Sequence, residues 1–332
     1  MVYHHQSLID FSIEVFKRIG CPSNHAELAA KVLVDADLKG VDSHGVARLA
    51  GYVRLWEKDR INAQPKIEIV HETPSTAVVD GDGGLGLVVA PKAMNIAIGK
   101  AHSVGTGWVS VRNSNHYGIA GYHAMMAVEQ DMIGISMTNA SPLVAPTFSA
   151  ERLLGTNPIA VAIPAGKQPP LVADFATTTV ANGKLEIMKR KNQSIPLGWA
   201  QDAKGSPSTS ATCVEQGGAL VPLGGTRELG SHKGYCLGSI VDIFSAVFSG
   251  ANYGPWVPPF VHFLEPSDNP VGQGIGHFFG AMRVDAFRSS EEFKEHMDQW
   301  ITRFRESTPA EGYQQVLVPG DPERETWSQR HA

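Results

Sequence analysis

Two short polar clusters carry most of the chemistry open to this sequence. The first is Asp42-Ser43-His44-Gly45, followed by Arg48 and Leu49; the second is Asn113-Ser114-Asn115-His116-Tyr117-Gly118, running into Gly121-Tyr122. Together they hold two imidazoles that titrate near neutrality and one guanidinium able to grip a carboxylate through parallel hydrogen bonds. Small hydroxyl and amide side chains beside each ring can fix its tautomer. Such parts can hold a small acid and move a proton on and off one of its oxygens. Either ring taken alone also has a plainer reading as a loop histidine bonded to backbone, and a chain with 13 histidines makes that reading common.

The elements that must position these clusters are legible in the spacing of apolar residues. Ser7 to Ile19 carries Leu8, Ile9, Phe11, Val15, Phe16 and Ile19 on a helical stripe closed by Gly20, with Ser12 on the stripe and Ile13 off it. Asn24 followed by Glu27 has capping-box spacing ahead of an amphipathic run from Leu28 to Leu38, which Gly40 ends. Ser43-His44 then falls in the turn before a helix from about Val46 to Trp56. His44 is thus expected near a helix N-terminus, where the dipole favours a neutral ring, with Arg48 one turn later on the same face. Further on, Thr76–Asp80 reads as a strand, Gly81–Gly86 as a turn, Leu87–His102 as a helix, and Gly107–Val111 as a strand leading into the His116 cluster. Ala120–Gln130 reads as helix, and Ile133–Met137, Leu153–Pro164 and Pro170–Phe175 as strands. Long loops are expected from about 190 to 225, then a helix over Lys233–Phe248 and a last one opened by the capping box Ser289-Ser290-Glu291-Glu292.

Bulk properties bound the function. A chain of 332 residues can bury a large core and suggests about two domains. A formal charge of −5 argues against nucleic acid or an anionic membrane as partner. Met1-Val2-Tyr3-His4-His5 reads as a mature start, and the longest apolar stretch, Leu237–Phe248, is interrupted by Asp242 and too short to span a bilayer. Cys21, Cys213 and Cys236 are widely separated, which favours reduced thiols in a cytoplasmic protein and offers no zinc site. Without HxH, HExxH or cysteine-based ligand spacing, no metal is expected.

Gly81-Asp82-Gly83-Gly84-Leu85-Gly86 matches the GxGxxG dinucleotide fingerprint between a strand and a helix. The acidic residue expected about 20 positions on is missing, no regular βαβαβ series surrounds the motif, and Asp82 would put a carboxylate where pyrophosphate must approach. A tight turn that uses glycine for its backbone freedom is the better reading.

Taken together, Asp42-Ser43-His44-Gly45-Val46-Ala47-Arg48-Leu49, the segment from Asn113 to Tyr122, and Leu154-Gly155-Thr156-Asn157-Pro158 resemble hallmarks of the malate/L-lactate dehydrogenase family. That family is related to sulfolactate, ureidoglycolate and 2,3-diketogulonate oxidoreductases and to cyclic ketimine reductases. Asp174-Phe175-Ala176-Thr177, Pro196-Leu197-Gly198-Trp199-Ala200, His232-Lys233-Gly234-Tyr235 and Pro319-Gly320-Asp321 extend the likeness from about residue 7 to 323.

The resemblance implies an α/β (α+β) chain that binds NAD(P) without a Rossmann domain and works as a homodimer. A largely antiparallel sheet domain would be flanked by a helical domain built from both termini. On this expectation residues 1–75 and 285–332 form the helical domain, 76–140 a small α/β segment carrying the His116 motif, and 141–284 the cofactor-binding sheet domain. His116 is then the acid/base, while related reductases place a proton donor at His44; which ring transfers the proton stays open, with His116 taken first. Arg48 and Ser43 are expected at the substrate carboxylate. Thr138 and Asn139 end a strand-like run and either bond substrate or simply form a turn, and Thr156-Asn157 has the same two readings. Gly118, Gly121, Asp174, Phe175, Ala176, Thr177, His232, Lys233, Gly320 and Asp321 are expected at the cofactor, NAD or NADP, with NAD taken first. Asp321 stands where relatives commonly carry glutamate, so Glu323 is the alternative ribose contact. The implied reaction is hydride transfer between nicotinamide and C2 of a small 2-hydroxy or 2-keto acid of malate or L-lactate type. Reduction of a cyclic imino acid or a 2,3-diketo sugar acid, or oxidation of ureidoglycolate or sulfolactate, is the alternative. An imidazole with its ordinary pKa near 6.5 would serve either direction.

Overall fold

Short runs of β-branched and small apolar residues carry the middle of the chain into one large sheet. The computed structural model describes residues 3–331, so Met1 and Val2 of the expected mature start lie outside the described residues. In chain order the strands are β1 (Glu68–Glu72), β2 (Thr76–Asp80), β3 (Thr106–Ser114), β4 (Met132–Thr138), β5 (Ile159–Ile163), β6 (Leu171–Phe175), β7 (Ala200–Gln201), β8 (Pro207–Ser208), β9 (Ala219–Leu220) and β10 (Ile275–Arg283). Seven of them form one sheet ordered β1-β2-β3-β10-β4-β5-β6, and β7 to β9 form a small second one. Every pairing in the large sheet is antiparallel except that of β2 with β3. This is the largely antiparallel, non-Rossmann arrangement that the resemblance implied.

The helices are α1 (His5–Arg18), α2 (Ser23–Leu38), α3 (Leu49–Glu57), α4 (Gly86–Val104), α5 (Ala120–Val128), α6 (Asn182–Arg190), α7 (Ser231–Asp242), α8 (Ser290–Arg305) and α9 (Asp321–His331). The sheet face bearing Val109, Val111, Phe279 and Ala281 packs on the alanine-rich sides of α4 and α5. Small side chains at Ala90, Ala93, Ala97 and Ala101 let α4 approach closely: a Cβ on Gly107 of β3 would lie 2.0 Å from Ala97 O. The other face receives α7 and the π-helical turn Ile243–Val247 that continues it, with Ser110 Oγ donating to Phe244 O at 3.0 Å. A second core joins α1, α2 and α3 through Phe16, Leu33, Tyr52 and Leu55 to Leu87 and Val88 at the start of α4. The C-terminal α9 lies on α2, where Arg330 pairs with Asp42 and also donates to Asp37 O. In contrast, α8 holds the β5–β6 turn: Asp298 accepts from the backbone N–H groups of Gly166, Lys167 and Gln168.

Several local expectations change. The helix α2 begins at Ser23 with Pro22 at the cap and no side-chain cap, so Asn24 lies inside the helix rather than capping it. The expected helix from Val46 opens as a 3-10 turn, Val46–Arg48, before α3. Ser289 does cap α8, accepting from Glu292 N. The central strand β10 escaped notice because seven successive residues, Ile275–Ala281, are buried, leaving no alternation to detect. No helix among the described residues is long and apolar enough to cross a membrane.

The GxGxxG turn lies in the single parallel crossover, β2–α4–β3, where a fingerprint would belong, yet its polar groups are already used. Gly81 and Gly83 donate to Arg112 O and Asn113 O at 2.9 and 2.8 Å. Gly83 O and Gly84 O accept from Asn115 Nδ2 at 2.9 and 3.1 Å. A Cβ on Gly86 would lie 2.0 Å from Asn115 O. The motif therefore braces the loop that carries His116. Gly86→Ala should lower stability by about 1–3 kcal/mol or more through overpacking against backbone, measured by denaturant unfolding. Gly83→Ala, whose added Cβ has no neighbour nearer than 3.8 Å, meets only left-handed strain at φ +65° and should cost about 1–2 kcal/mol. Loss of dinucleotide binding by a stably folded Gly83→Ala protein would contradict the bracing role.

Candidate active site

The loop bearing His44 is pinned to α2 before its side chains are considered. Asp37 Oδ2 accepts from Val46 N at 2.8 Å, and a Cβ on Gly45 would fall 2.1 Å from Asp37 Oδ1, so only glycine admits the carboxylate. Burial raises that carboxyl to about 6. The following 3-10 turn aims Arg48 back, with Nε donating to Ser43 O at 2.5 Å. The second loop leaves β3 with Asn113 at φ 54° and reaches Gly118 at φ 81°.

These loops bring His44 and His116 face to face, ring centroids 5.6 Å apart and planes 22° apart. Ser43 Oγ lies 2.9 Å from His44 Nδ1, and Tyr52 Oη lies 2.7 Å from His116 Nδ1. Gly118 N donates to the same His116 Nδ1 at 3.3 Å. Phe260 closes the far side, its ring 4.7 Å from that of His116. The remaining Arg48 nitrogens, Nη1 and Nη2, face the two Glu186 carboxylate oxygens at 3.5 and 3.3 Å. Glu186 is steadied by Asn182 Nδ2 at 3.0 Å, and α6 comes this close because Gly183 stands against Ser43.

Electrostatics depart from the ordinary imidazole. Removal from water pushes His44 down to about 4, and Arg48 adds to the effect. His116 is lowered well below 6.5, by burial first and then by His44, Arg48 and His277. Burial raises the Tyr52 phenol, so it stays protonated. Both rings are therefore neutral at pH 7, which replaces the expectation of a pKa near 6.5.

Thr138 and Asn139 differ from the substrate contacts expected of them. Thr138 Oγ1 meets His277 Nδ1 at 2.7 Å, while His277 Nε2 meets Ser114 Oγ at 2.8 Å. Asn139 donates to Asp242 Oδ1 and Asn252 O and accepts from Gly276 N. Both residues are buried and tie β4 to β10 and α7. Asn157 is likewise spent, on Ala140 N and Gly238 O.

Beside the histidine pair opens a cleft of roughly 990 Å³. Val41 and Ile119, each three residues from its histidine, form part of its wall. Gly121, Asp174, Phe175 and Gly320, all expected at the cofactor, line it together with Met125, Val172, Leu317, Glu323 and Trp327. Asp174 Oδ2 accepts from Gly121 N at 2.7 Å, and its side chain stays exposed to the cleft. A cleft with apolar flanks and a few convergent carboxylates suits the adenosine and ribose portions of a dinucleotide.

The rest of the expected cofactor set lies elsewhere. Asp321 is held in ion pairs with Arg305 at 2.6 Å and Arg324 at 2.9 Å and accepts from Val318 N, whereas Glu323 faces the cleft. Thr177 is buried against Thr156 O next to Ala176. His232 and Lys233 open α7 outside the cleft lining, His232 beside Arg227 at 2.7 Å. Gly118 belongs with His116 rather than with the cleft. Tyr52, Glu186, Phe260 and His277 went unnoticed in the sequence. Tyr52 alone had a local signal, one helical turn beyond Arg48.

Among the described residues no group of three or more His, Cys, Asp or Glu side chains is placed to hold a metal ion. A family model described as malate/L-lactate dehydrogenase matches residues 3–332. The chain belongs to this family. A malate dehydrogenase of Pyrococcus abyssi is 46% identical over 315 residues, covering 95% of this chain and 84% of that protein. An L-sulfolactate dehydrogenase of Methanocaldococcus jannaschii is 42% identical over 311 residues, covering 93% and 85%. The solved structure of malate dehydrogenase from Pyrococcus horikoshii OT3 matches with a TM-score of 0.90 at 41% identity, covering all of this chain and 89% of that one. As a family member the chain is an oxidoreductase acting on a CH–OH group, a hydroxy acid dehydrogenase with a nicotinamide cofactor.

Neutral histidines also form the wall behind the site. His123, fully buried with Nε2 on Tyr117 O at 2.9 Å, is lowered to about 4, chiefly by burial, and His277 to about 3. Because their folded pKa lies below the unfolded 6.5, the unfolded chain binds more protons, so stability is intact above pH 6.5 and falls as pH drops toward 4. Asp37, raised instead, acts in the opposite sense below pH 6. His123→Gln should therefore lose less stability than the parent between pH 7 and pH 5, by about 2 kcal/mol. Equal losses in denaturant melts would show that His123 is charged in the folded state.

Proposed function

We propose that this dehydrogenase transfers a hydride between NAD and C2 of a malate- or L-lactate-type 2-hydroxy acid, and that it works as a cytoplasmic homodimer. The observation that carries the reading is the convergence of one guanidinium and two desolvated imidazoles on loops that run straight into the cleft. The malate dehydrogenase relative at 46% identity supports the substrate class. Arg48 binds the substrate carboxylate, which takes the place of Glu186 on the guanidinium, and Ser43 helps seat it. The His44–His116 pair handles the hydroxyl proton. A bound dinucleotide would supply the hydride acceptor; Gly121, Asp174, Phe175 and Gly320 would hold its adenosine and ribose portions, with Glu323 at a ribose.

NAD is favoured over NADP by charge. Asp35, Glu129, Asp174 and Glu323 on the cleft wall outnumber Lys39 and Arg324, which are themselves paired with Asp35 and Asp321. A 2′-phosphate would meet a net negative wall. The exposed apolar strip of Ile240, Ile243, Val247 and Phe248 supports a dimer, and three free thiols support a reducing compartment.

At pH 7 the neutral rings are ready to accept a proton, which suits oxidation of the hydroxy acid. In the reverse direction a bound carboxylate offsets the Arg48 charge and so eases protonation of the ring beside it. For oxidation, kcat/KM should stay level from pH 8 to about 5.5 and fall only as pH approaches the lowered histidine range. Arg48→Lys keeps the charge but loses the planar fork, so kcat/KM for the acid should drop about 10- to 100-fold, mainly through KM, with dinucleotide affinity retained. A screen of 2-keto acids with NADH and NADPH tests the whole reading. Turnover confined to cyclic imino acids or diketo sugar acids would replace the substrate assignment.

A further inference from the structure

Helix α9 is seated without a core. Its 11 residues bury no side chain, so its position depends on polar contacts and one close fit. At its start Arg324 donates to Pro170 O at 2.9 Å, and Asp321 pairs with Arg305 of α8. In its middle Thr326 lies over Gly40, where a Cβ would come within 2.9 Å of Thr326 Cγ2. At its end Arg330 forks onto both carboxylate oxygens of Asp42 and also donates to Asp37 O. His331 stacks on Trp327 and on His5 of α1, with ring centroids 4.3 and 4.8 Å apart. Exposed ion pairs of this kind each contribute little. A helix with no apolar anchor belongs to the part of a structure that opens most readily.

The two ends of α9 serve the two halves of the site. Glu323, Arg324 and Trp327 line the cleft, and Arg330 lies outside its lining. Arg330 instead holds the root of the substrate loop from two sides. Asp42 directly precedes Ser43, and Asp37 O lies in the last turn of α2, where a guanidinium is favoured by the helix dipole. The Asp37 side chain in turn fixes Val46 N, and Ser43 O accepts from Arg48 Nε.

Resting on the dinucleotide reading of the cleft, we propose that α9 couples cofactor binding to acid binding, with Arg330 as a positioning residue for the substrate loop. A dinucleotide against Glu323 and Trp327 makes contacts that exist only when the helix is seated, so it shifts α9 toward its seat. The seated helix keeps Arg330 on Asp42 and Asp37 O, which restrains Ser43 and, through the Ser43 O–Arg48 Nε bond, the guanidinium that takes the acid. By linkage a bound acid tightens the dinucleotide by the same factor.

Hydrogen exchange followed by mass spectrometry, with NADH as the probe, reads this coupling apart from catalysis. In the parent protein NADH should slow exchange in β6, in α9 and in the loop 42–48. In Arg330→Gln the slowing in β6 should persist and that in 42–48 should vanish. Slowing in β6 with none in 42–48 of the parent, or equal slowing of 42–48 in both proteins, overturns the proposal and leaves the cofactor reading intact. Absence of slowing in β6 of the parent strikes the cofactor reading, and the proposal falls with it. Calorimetry gives the size of the effect. Saturating oxamate, an unreactive 2-keto acid analogue, should tighten NADH binding by about fivefold or more in the parent and by about twofold or less in Arg330→Gln. Arg330→Lys should fall between them, because an ammonium keeps the charge beside Asp42 and loses the fork. An unchanged factor in Arg330→Gln overturns the proposal. In turnover at saturating cofactor, Arg330→Gln should raise KM for the acid and keep kcat within about twofold, the split expected of a residue that positions a binding group.

Discussion

The Asn115 carboxamide is the tie on which this architecture depends. Its Nδ2 lies within hydrogen-bonding reach of the carbonyls of Arg60, Gly83 and Gly84 at 3.2, 2.9 and 3.1 Å. One side chain thereby joins the segment after α3, the glycine turn of the parallel crossover and the loop of His116. The site lies where these parts meet, so its geometry holds only while all of them are docked. The glycines are needed because the backbones approach within contact distance, and any side chain at Gly86 would push Asn115, and His116 next to it, out of place.

Docking has an electrostatic consequence. Once α3, the His116 loop and Phe260 close together, the histidines lose water and sit beside a guanidinium, so their cations become unfavourable. Burial elsewhere in the molecule raises Asp37 and Asp242. Carboxyls move up and imidazoles move down for one reason, the removal of solvent, and the protein holds a site poor in net charge beside a mildly acidic cleft. In the proposed reading, a substrate carboxylate entering it meets little competing water and one strong donor.

Much of this arrangement was legible in the sequence where the signal is local. The strands on either side of the His116 loop, the helix stop at Gly40 and the Ser289 cap follow from periodicity and turn chemistry. The resemblance carried what periodicity cannot, the antiparallel order of the sheet. Other features escaped because they are made by distant partners. Thr138 and Asn139 end a strand in a manner that suits a ligand site equally well, and only the arrival of His277 and Asp242 decides their use. Asp321 matches a motif, yet Arg305 and Arg324 occupy it. Glu186 stands 138 positions from Arg48 on a helix whose sequence reads as an ordinary polar surface. The pKa of a ring is set by what covers it, which no local spacing records.

The Arg48–Glu186 pair keeps a half-buried guanidinium matched. A guanidinium left bare in a half-buried site would lose solvation without a partner. An internal carboxylate at 3.3 to 3.5 Å satisfies it, but at distances longer than the roughly 2.7–2.9 Å of an optimal charged hydrogen bond. Glu186 is also bound by Asn182, so it has somewhere to remain when it yields. In the proposed reading, a substrate carboxylate seated at the shorter distance replaces a loose interaction with a tighter one and leaves the guanidinium paired throughout. The net gain on binding is then the difference between two ion pairs, smaller than the full strength of either. Affinity for the carboxylate alone is therefore modest. In that reading, discrimination among acids falls to the rest of the molecule and to how its hydroxyl reaches the two histidines.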